Sequence, residues 1–259
     1  MSISNSAHIA YLIYRMKFIF YFSIIAFATG SCTSSLTDPQ QIIDKAIVAS
    51  GGEKYTNSTI EFDFRERHYI AIRAGGKFSY ERIFKDSTRT IHDYVSNDGF
   101  RREMDGVVVE VADSMKVKYT SSTNSVIYFA LLPYGLNDAS VQKKFLGETV
   151  IDDKAYYKIE ISFLQDGGGE DFQDMFNYWI SKDDFNIGFL SYSFSENDEI
   201  SSRLRKGYNP RRIENVLFLD YINYKPKDNK VRFDQLEELY EKDELEELSK
   251  IELQNISVK

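Results

Sequence analysis

From Ser58 onward the chain changes to a period of two, and nothing else in it constrains the fold as tightly. Ile60, Phe62 and Phe64 alternate with Glu61, Asp63 and Arg65. That order puts apolar side chains on one face of a strand and charges on the other. The pattern then repeats between turn signals. Segments 69–73 and 77–84 flank Ala74-Gly75-Gly76, and segments 89–95 and 100–104 flank Asn97-Asp98-Gly99. Asp105-Gly106 turns into 107–111. Glycine and Asn or Asp supply the positive φ that tight hairpins require. The stretch predicts a meander of antiparallel strands with one apolar face.

Helices bracket this meander. Thr37 or Asp38 caps a helix that begins at Pro39, carries Ile42, Ile43, Ala46, Ile47 and Ala49 as one stripe, and stops at Gly51-Gly52. It is expected to pack flat on a sheet. Segment 112–132 leaves the strand pattern. There Val126, Ile127, Phe129, Ala130 and Leu131 read as the core face of a second helix, ended by Pro133-Tyr134-Gly135. Segment 141–145 reads as a further short helical turn. Strands resume at 147–151, 155–163, 174–181 and 187–195, with a turn at 183–186. Segment 211–224 is hairpin-like, 233–240 is a short acidic helix, and 248–258 closes as a strand. The class is α+β and mostly antiparallel, with residues 39–259 as one β-rich domain.

The N-terminal segment has another logic. The apolar stretch 18–28 is about 17 Å long as a helix, too short for the ~30 Å hydrocarbon core of a bilayer. Lys17, this stretch, then Thr29-Gly30-Ser31-Cys32 have the layout of a bacterial lipoprotein signal peptide, with Met16 as the expected start. Thr29 stands where leucine is usual. Residues 1–31 would be removed, Cys32 lipidated, and 32–38 left as a polar tether. Ordinary secretory cleavage nearby would instead leave a free thiol, and acylation removes that liability. The expected location is the cell envelope, as an outer-membrane lipoprotein facing the periplasm. Loss of Arg15 and Lys17 with the leader takes the net charge from −8 to −10. Such a chain has no bulk attraction for nucleic acid.

Several stretches resemble an uncharacterised family of gram-negative envelope lipoproteins, a domain of unknown function. They are Gln41 to Ala46 followed by Ser50-Gly51-Gly52, Val126 to Leu136, Gly167-Gly168-Gly169-Glu170-Asp171, Tyr178-Trp179-Ile180, Tyr208-Asn209-Pro210-Arg211 and Asp220 to Tyr224. By order of elements the chain is more distantly similar to LolA/LolB-like lipoprotein carriers. That resemblance implies a strongly curved antiparallel sheet, a half-barrel, closed by helices around a hydrophobic cavity for acyl chains.

The expected function is therefore binding of a hydrophobic ligand, a lipid or acyl group, without catalysis. A structural or partner-binding envelope protein and a carboxylate-dependent hydrolase are the alternatives. With 18 Tyr and 19 Phe, the chain has aromatics either to fill a core beneath the opening helix or to line a cavity. The candidate ligand-binding residues are Tyr128, Phe129, Tyr178, Trp179, Arg205, Tyr208 and Arg211. Arg203, Arg205, Lys206, Arg211 and Arg212 make a local basic cluster. It would meet an anionic group or pair with the acidic strip Glu237, Glu238, Glu241, Asp243, Glu244, Glu246 and Glu247. The loop 166–171 reads as a strand connection, a ligand gate or a calcium loop, although regular calcium-loop spacing is missing. His68 and His92 have no metal-ligand or triad spacing, so no catalytic residue, metal or cofactor is assigned.

Overall fold

The computed structural model of this chain describes residues 36–165, 174–196, 199–228 and 231–259. Its first helix, α1 (Pro39–Ser50), opens on Asp38, whose carboxylate accepts from the Gln40 amide at 2.9 Å. Proline at the first position costs nothing, because its missing N–H would have no partner there. Ile42, Ile43 and Ala46 are buried. Gly51 ends the helix at φ 137°, and a Cβ there would lie 3.1 Å from the Val216 backbone, so neither the angle nor the space admits a side chain. A short 3₁₀ turn, Gly52–Thr56, leads into the strands.

Six strands follow as hairpins: β1 (Ser58–Phe64), β2 (Arg67–Ala74), β3 (Lys77–Asp86), β4 (Arg89–Ser96), β5 (Gly99–Met104) and β6 (Val107–Val109). Helix α2 (Asp113–Ala130) comes next. Then come β7 (Val141–Ile151), β8 (Lys154–Phe163), β9 (Met175–Ser181), β10 (Ile187–Glu196), β11 (Glu199–Ile213) and β12 (Val216–Pro226). The chain closes with helix α3 (Leu236–Glu241), β13 (Leu245–Ile251) and β14 (Gln254–Val258). Two curved, unclosed sheets result, each of seven strands: β14-β1-β2-β3-β4-β5-β6 and β13-β12-β11-β10-β9-β8-β7. Neighbours in both are antiparallel, as a chain of hairpins requires. Residues Thr37–Lys259 pack as a single unit.

The sheets hand over at one place. Residues 248–258, expected as one strand, are two: β13 edges the second sheet and β14 edges the first. The break falls at Glu252-Leu253. Asp220 on β12 holds it, accepting from the Leu253 amide at 3.0 Å, from Arg211 Nη2 at 2.8 Å and from Asn209 Nδ2 at 2.7 Å. Burial works to raise the Asp220 carboxyl, but these donors outweigh it and hold the group below the usual carboxylate range.

One further expectation is corrected. Residues 141–145 form no helical turn. They begin β7, where Val141 to Phe145 pair in register with Phe163 to Ile159 of β8 and alternate side chains face out, before a bulge at Leu146. Helix α2 covers the aromatic inner face of the first sheet, where Ile127 and Leu131 join Tyr55, Ile60, Phe62, Tyr69 and Phe218 in the core. Helix α1 packs against β12 and β7 of the second sheet. A second core lies on the far side of the second sheet, where Tyr156, Trp179, Phe189 and Leu204 pack under Leu236 of α3. Strand β9 is therefore buried on both faces from Phe176 to Ile180. Gly188 on β10 admits the Tyr156 ring, since a Cβ there would lie 2.4 Å from it.

Candidate functional site

Alternation along the second sheet decides which candidate residues meet. Tyr178, Leu190, Arg205 and Asn223 are cross-strand partners across β9, β10, β11 and β12. They point to the side on which α2 lies. Trp179, one residue on, points the opposite way into the core under α3, with Lys158 Nζ 4.9 Å from its ring. The structure thus separates Tyr178 from Trp179.

Four candidates meet at α2. The Arg205 guanidinium lies 4.0 Å over the Phe129 ring and donates from Nη2 to the Tyr192 hydroxyl at 2.9 Å. A cation over an aromatic face gains electrostatic attraction. Arg205 Nε is buried without a hydrogen-bond partner, and among the described residues no carboxylate lies within ion-pair distance of Arg205. Next to it, the Tyr128 and Tyr178 hydroxyls are 3.0 Å apart. Burial pushes both phenols up, so they stay neutral at physiological pH.

Tyr208 and Arg211 stand elsewhere. The Tyr208 hydroxyl donates to Glu252 at 2.7 Å, and burial together with that carboxylate pushes the phenol up to about 12. Arg211 pairs with Asp220 at the sheet junction. The basic cluster does not engage the acidic strip. Lys206 pairs with Asp152 at 2.7 Å, while Glu238 pairs with Lys242, Glu246 with Lys225 and Glu237 with Lys158.

Beside Arg205 the packing is incomplete. A cavity of about 80 Å³ lies between α2 and the second sheet. Its walls are Phe64, Val126, Phe129, Ala130, Leu219, Tyr221, Ile251 and Leu253, with Ser125 and Arg205 as the polar contributions. For scale, ~150 Å³ suffices for a benzene-sized guest. The space as it stands admits a few methylene groups. Sequence reasoning found Phe129 and Arg205 but missed Leu219, Ile251 and Leu253, which the β12 register and the β13–β14 break bring to the wall. Burial also pushes the Tyr221 phenol up.

The helix that roofs this cavity is lightly seated. Only Thr123 and Ile127 of α2 are fully buried. The Thr123 hydroxyl is buried with no partner, as is Asn124 Oδ1. A buried unpaired polar group costs about 1–3 kcal/mol.

The histidines make contacts on the first sheet: His68 cross-strand with Asp63 at 2.6 Å, and His92 cross-strand with Glu81 at 2.8 Å and along its own strand with the Tyr94 hydroxyl at 2.8 Å. Among the described residues no three metal-ligating side chains cluster. Cys32 and the 167–171 loop lie outside the described residues.

In overall fold the chain is similar to a DUF1329 family protein from Desulfovibrio piger, at 12% identity over 85% of this chain and 93% of that one, with a TM-score of 0.50. It also aligns with a LolA superfamily protein from Nitrosomonas europaea, at 11% identity over 87% and 92% with a TM-score of 0.45. A putative outer membrane lipoprotein-sorting protein domain from Vibrio parahaemolyticus aligns at 9% identity over 71% and 85%, with a TM-score of 0.41. No curated protein matches the sequence. A family model matches residues 15–253, and the chain belongs to that family, DUF6503, a family of unknown function.

Proposed function

We propose that this protein is a lipid-anchored envelope protein that holds a hydrophobic ligand, a lipid or acyl group, beneath α2 without transforming it. The observation that carries the reading is the cavity beside Arg205: apolar walls, one unpaired cation and a weakly seated helix as its roof. A guest longer than a few methylenes enters when α2 lifts, which costs little because few of its side chains are fully buried. Phe129, with Tyr128 and Tyr178 beside it, lines the path, and the Arg205 guanidinium stacked on Phe129 forms part of the cavity wall. Cys32 acylation holds the body at the outer membrane, facing the periplasm; its support is the order of basic, apolar and small residues before that cysteine.

Two measurements test this. Displacement of an environment-sensitive fluorescent fatty acid from the full chain should show saturable binding that Ala130→Leu abolishes, because the larger side chain fills the cavity. Unchanged binding in Ala130→Leu contradicts the site. Labelled palmitate should enter the wild type and not Cys32→Ser, and incorporation that persists in the variant removes the anchor.

A further inference from the structure

The inner face of the first sheet carries charge where its pattern calls for apolar residues. On β3 the inward sequence is Tyr80, Arg82, Phe84; on β4 it is Ile91, Asp93, Val95; on β5 it is Phe100, Arg102, Met104. Arg82, Asp93 and Arg102 are direct cross-strand partners, so the three central charges form one rung. All are buried, at 3%, 0% and 8% exposure. The Asp93 carboxylate accepts four hydrogen bonds, two from each guanidinium, at 2.5–3.1 Å. Three of the four reach Oδ2 and one reaches Oδ1. Two cations share one anion, and a net positive charge remains out of water, where it is costly unless a counter-charge arrives.

The rung faces a cleft of about 510 Å³ under the first half of α2. Arg67 and Lys118 add two more cations to its wall, against one carboxylate, Asp86, which lies 3.9 Å from Arg89. Arg82 Nη1 donates to Ser122 of α2 at 2.9 Å. The helix residues lining this cleft (Met115, Lys118, Tyr119, Ser122) and those lining the apolar cavity (Ser125, Val126, Phe129, Ala130) make one stripe at helical spacing. Ser122 and Ser125 are about 5 Å apart along the axis. A cationic cleft and an apolar cavity therefore lie end to end along one helix face.

We propose that the cleft binds the anionic headgroup, phosphate or carboxylate, of an amphiphile whose tail runs along α2 into the apolar cavity. This rests on the cavity being a ligand site, and the test separates the two ideas. Calorimetric titration of the full chain uses decyl phosphate below its micelle-forming concentration, uncharged monodecanoylglycerol and inorganic phosphate. Decyl phosphate should bind at least about tenfold more tightly than either of the others, the equivalent of one charge-assisted hydrogen bond. Arg102→Gln leaves Arg82 and Asp93 paired, and Lys118→Glu changes only an exposed helix residue. Each should lower decyl phosphate affinity about tenfold and leave the neutral lipid unaffected. Equal affinity for decyl phosphate and the neutral lipid, unchanged in both variants, overturns the headgroup site and leaves the apolar site standing. Inorganic phosphate binding as tightly as decyl phosphate makes the cleft a free-anion site and overturns the amphiphile. No binding of any lipid overturns both.

Discussion

The two faces of the second sheet are equally aromatic and packed to opposite ends. On the outer face Phe189 stands 5.7 Å from Tyr156, 6.5 Å from Trp179 and 5.1 Å from Tyr240, each edge to face, and α3 closes over them. On the inner face the rings of Phe129, Phe176 and Tyr192 also cluster, at 5.4–6.2 Å. Yet beside them lie a cavity and an uncompensated arginine, and under the same helix lies an unpaired hydroxyl. One face spends aromatics on density, as interiors usually do. Buried polar atoms without partners occur on both faces, Trp179 Nε1 and Ser191 Oγ on the outer one, Arg205 Nε on the inner one. The inner face leaves space beside a stacked arginine. A local departure of this kind points to function more than a high count of aromatic residues does.

The comparison can be broken most forcefully on the dense side. Phe189→Ala should cost about 3–5 kcal/mol in denaturant unfolding and leave lipid binding intact in the folded fraction. A smaller loss would mean the outer face is not the better-packed one. Next comes the junction that holds both faces in register. Asp220→Asn should cost about 2 kcal/mol at neutral pH, where a charged acceptor is lost. Because the folded carboxyl sits below its ordinary value, its contribution is full above about pH 4 and disappears as pH falls further. Wild type should therefore lose stability over that acid range, and the variant should show a shallower slope in pH-dependent melting.

On the loose side the sign reverses. Thr123→Val replaces an unpaired buried hydroxyl with a methyl group of similar shape. It should stabilise the fold by about 1 kcal/mol, slow hydrogen exchange in α2 and slow lipid release. Destabilisation would show that the hydroxyl has a partner in solution. The smallest effect is expected away from both faces: Lys242→Ala removes an exposed i,i+4 pair with Glu238 and should leave the denaturant midpoint unchanged.

The legible parts of the sequence are those where local chemistry and tertiary structure agree. Pro39 and Gly51 bound α1, the Gly75-Gly76 and Asp98-Gly99 turns set the first meander, and its alternation matches the observed buried face. Residues 141–145 misled because Val141 and Phe145, separated by Gln142-Lys143-Lys144, fit a helical spacing of four as well as a strand period of two, and pairing with β8 settled it. The split at Glu252-Leu253 was invisible because a contact with Asp220, distant in sequence, creates it. For the site, Phe129 and Arg205 were found from residue type, while their separation from Trp179 follows from strand parity. The charged rung did leave a signal. In three consecutive strands the central inward residue is ionic between apolar neighbours, and the charges run plus, minus, plus.

The central claim is that the space beneath α2 holds an acyl chain. Native mass spectrometry of the full chain, released gently from membranes, tests it most directly. A non-covalent lipid adduct on the wild type that Ala130→Leu lacks is the predicted result. A wild-type spectrum without adduct, or one that Ala130→Leu leaves unchanged, would contradict the account.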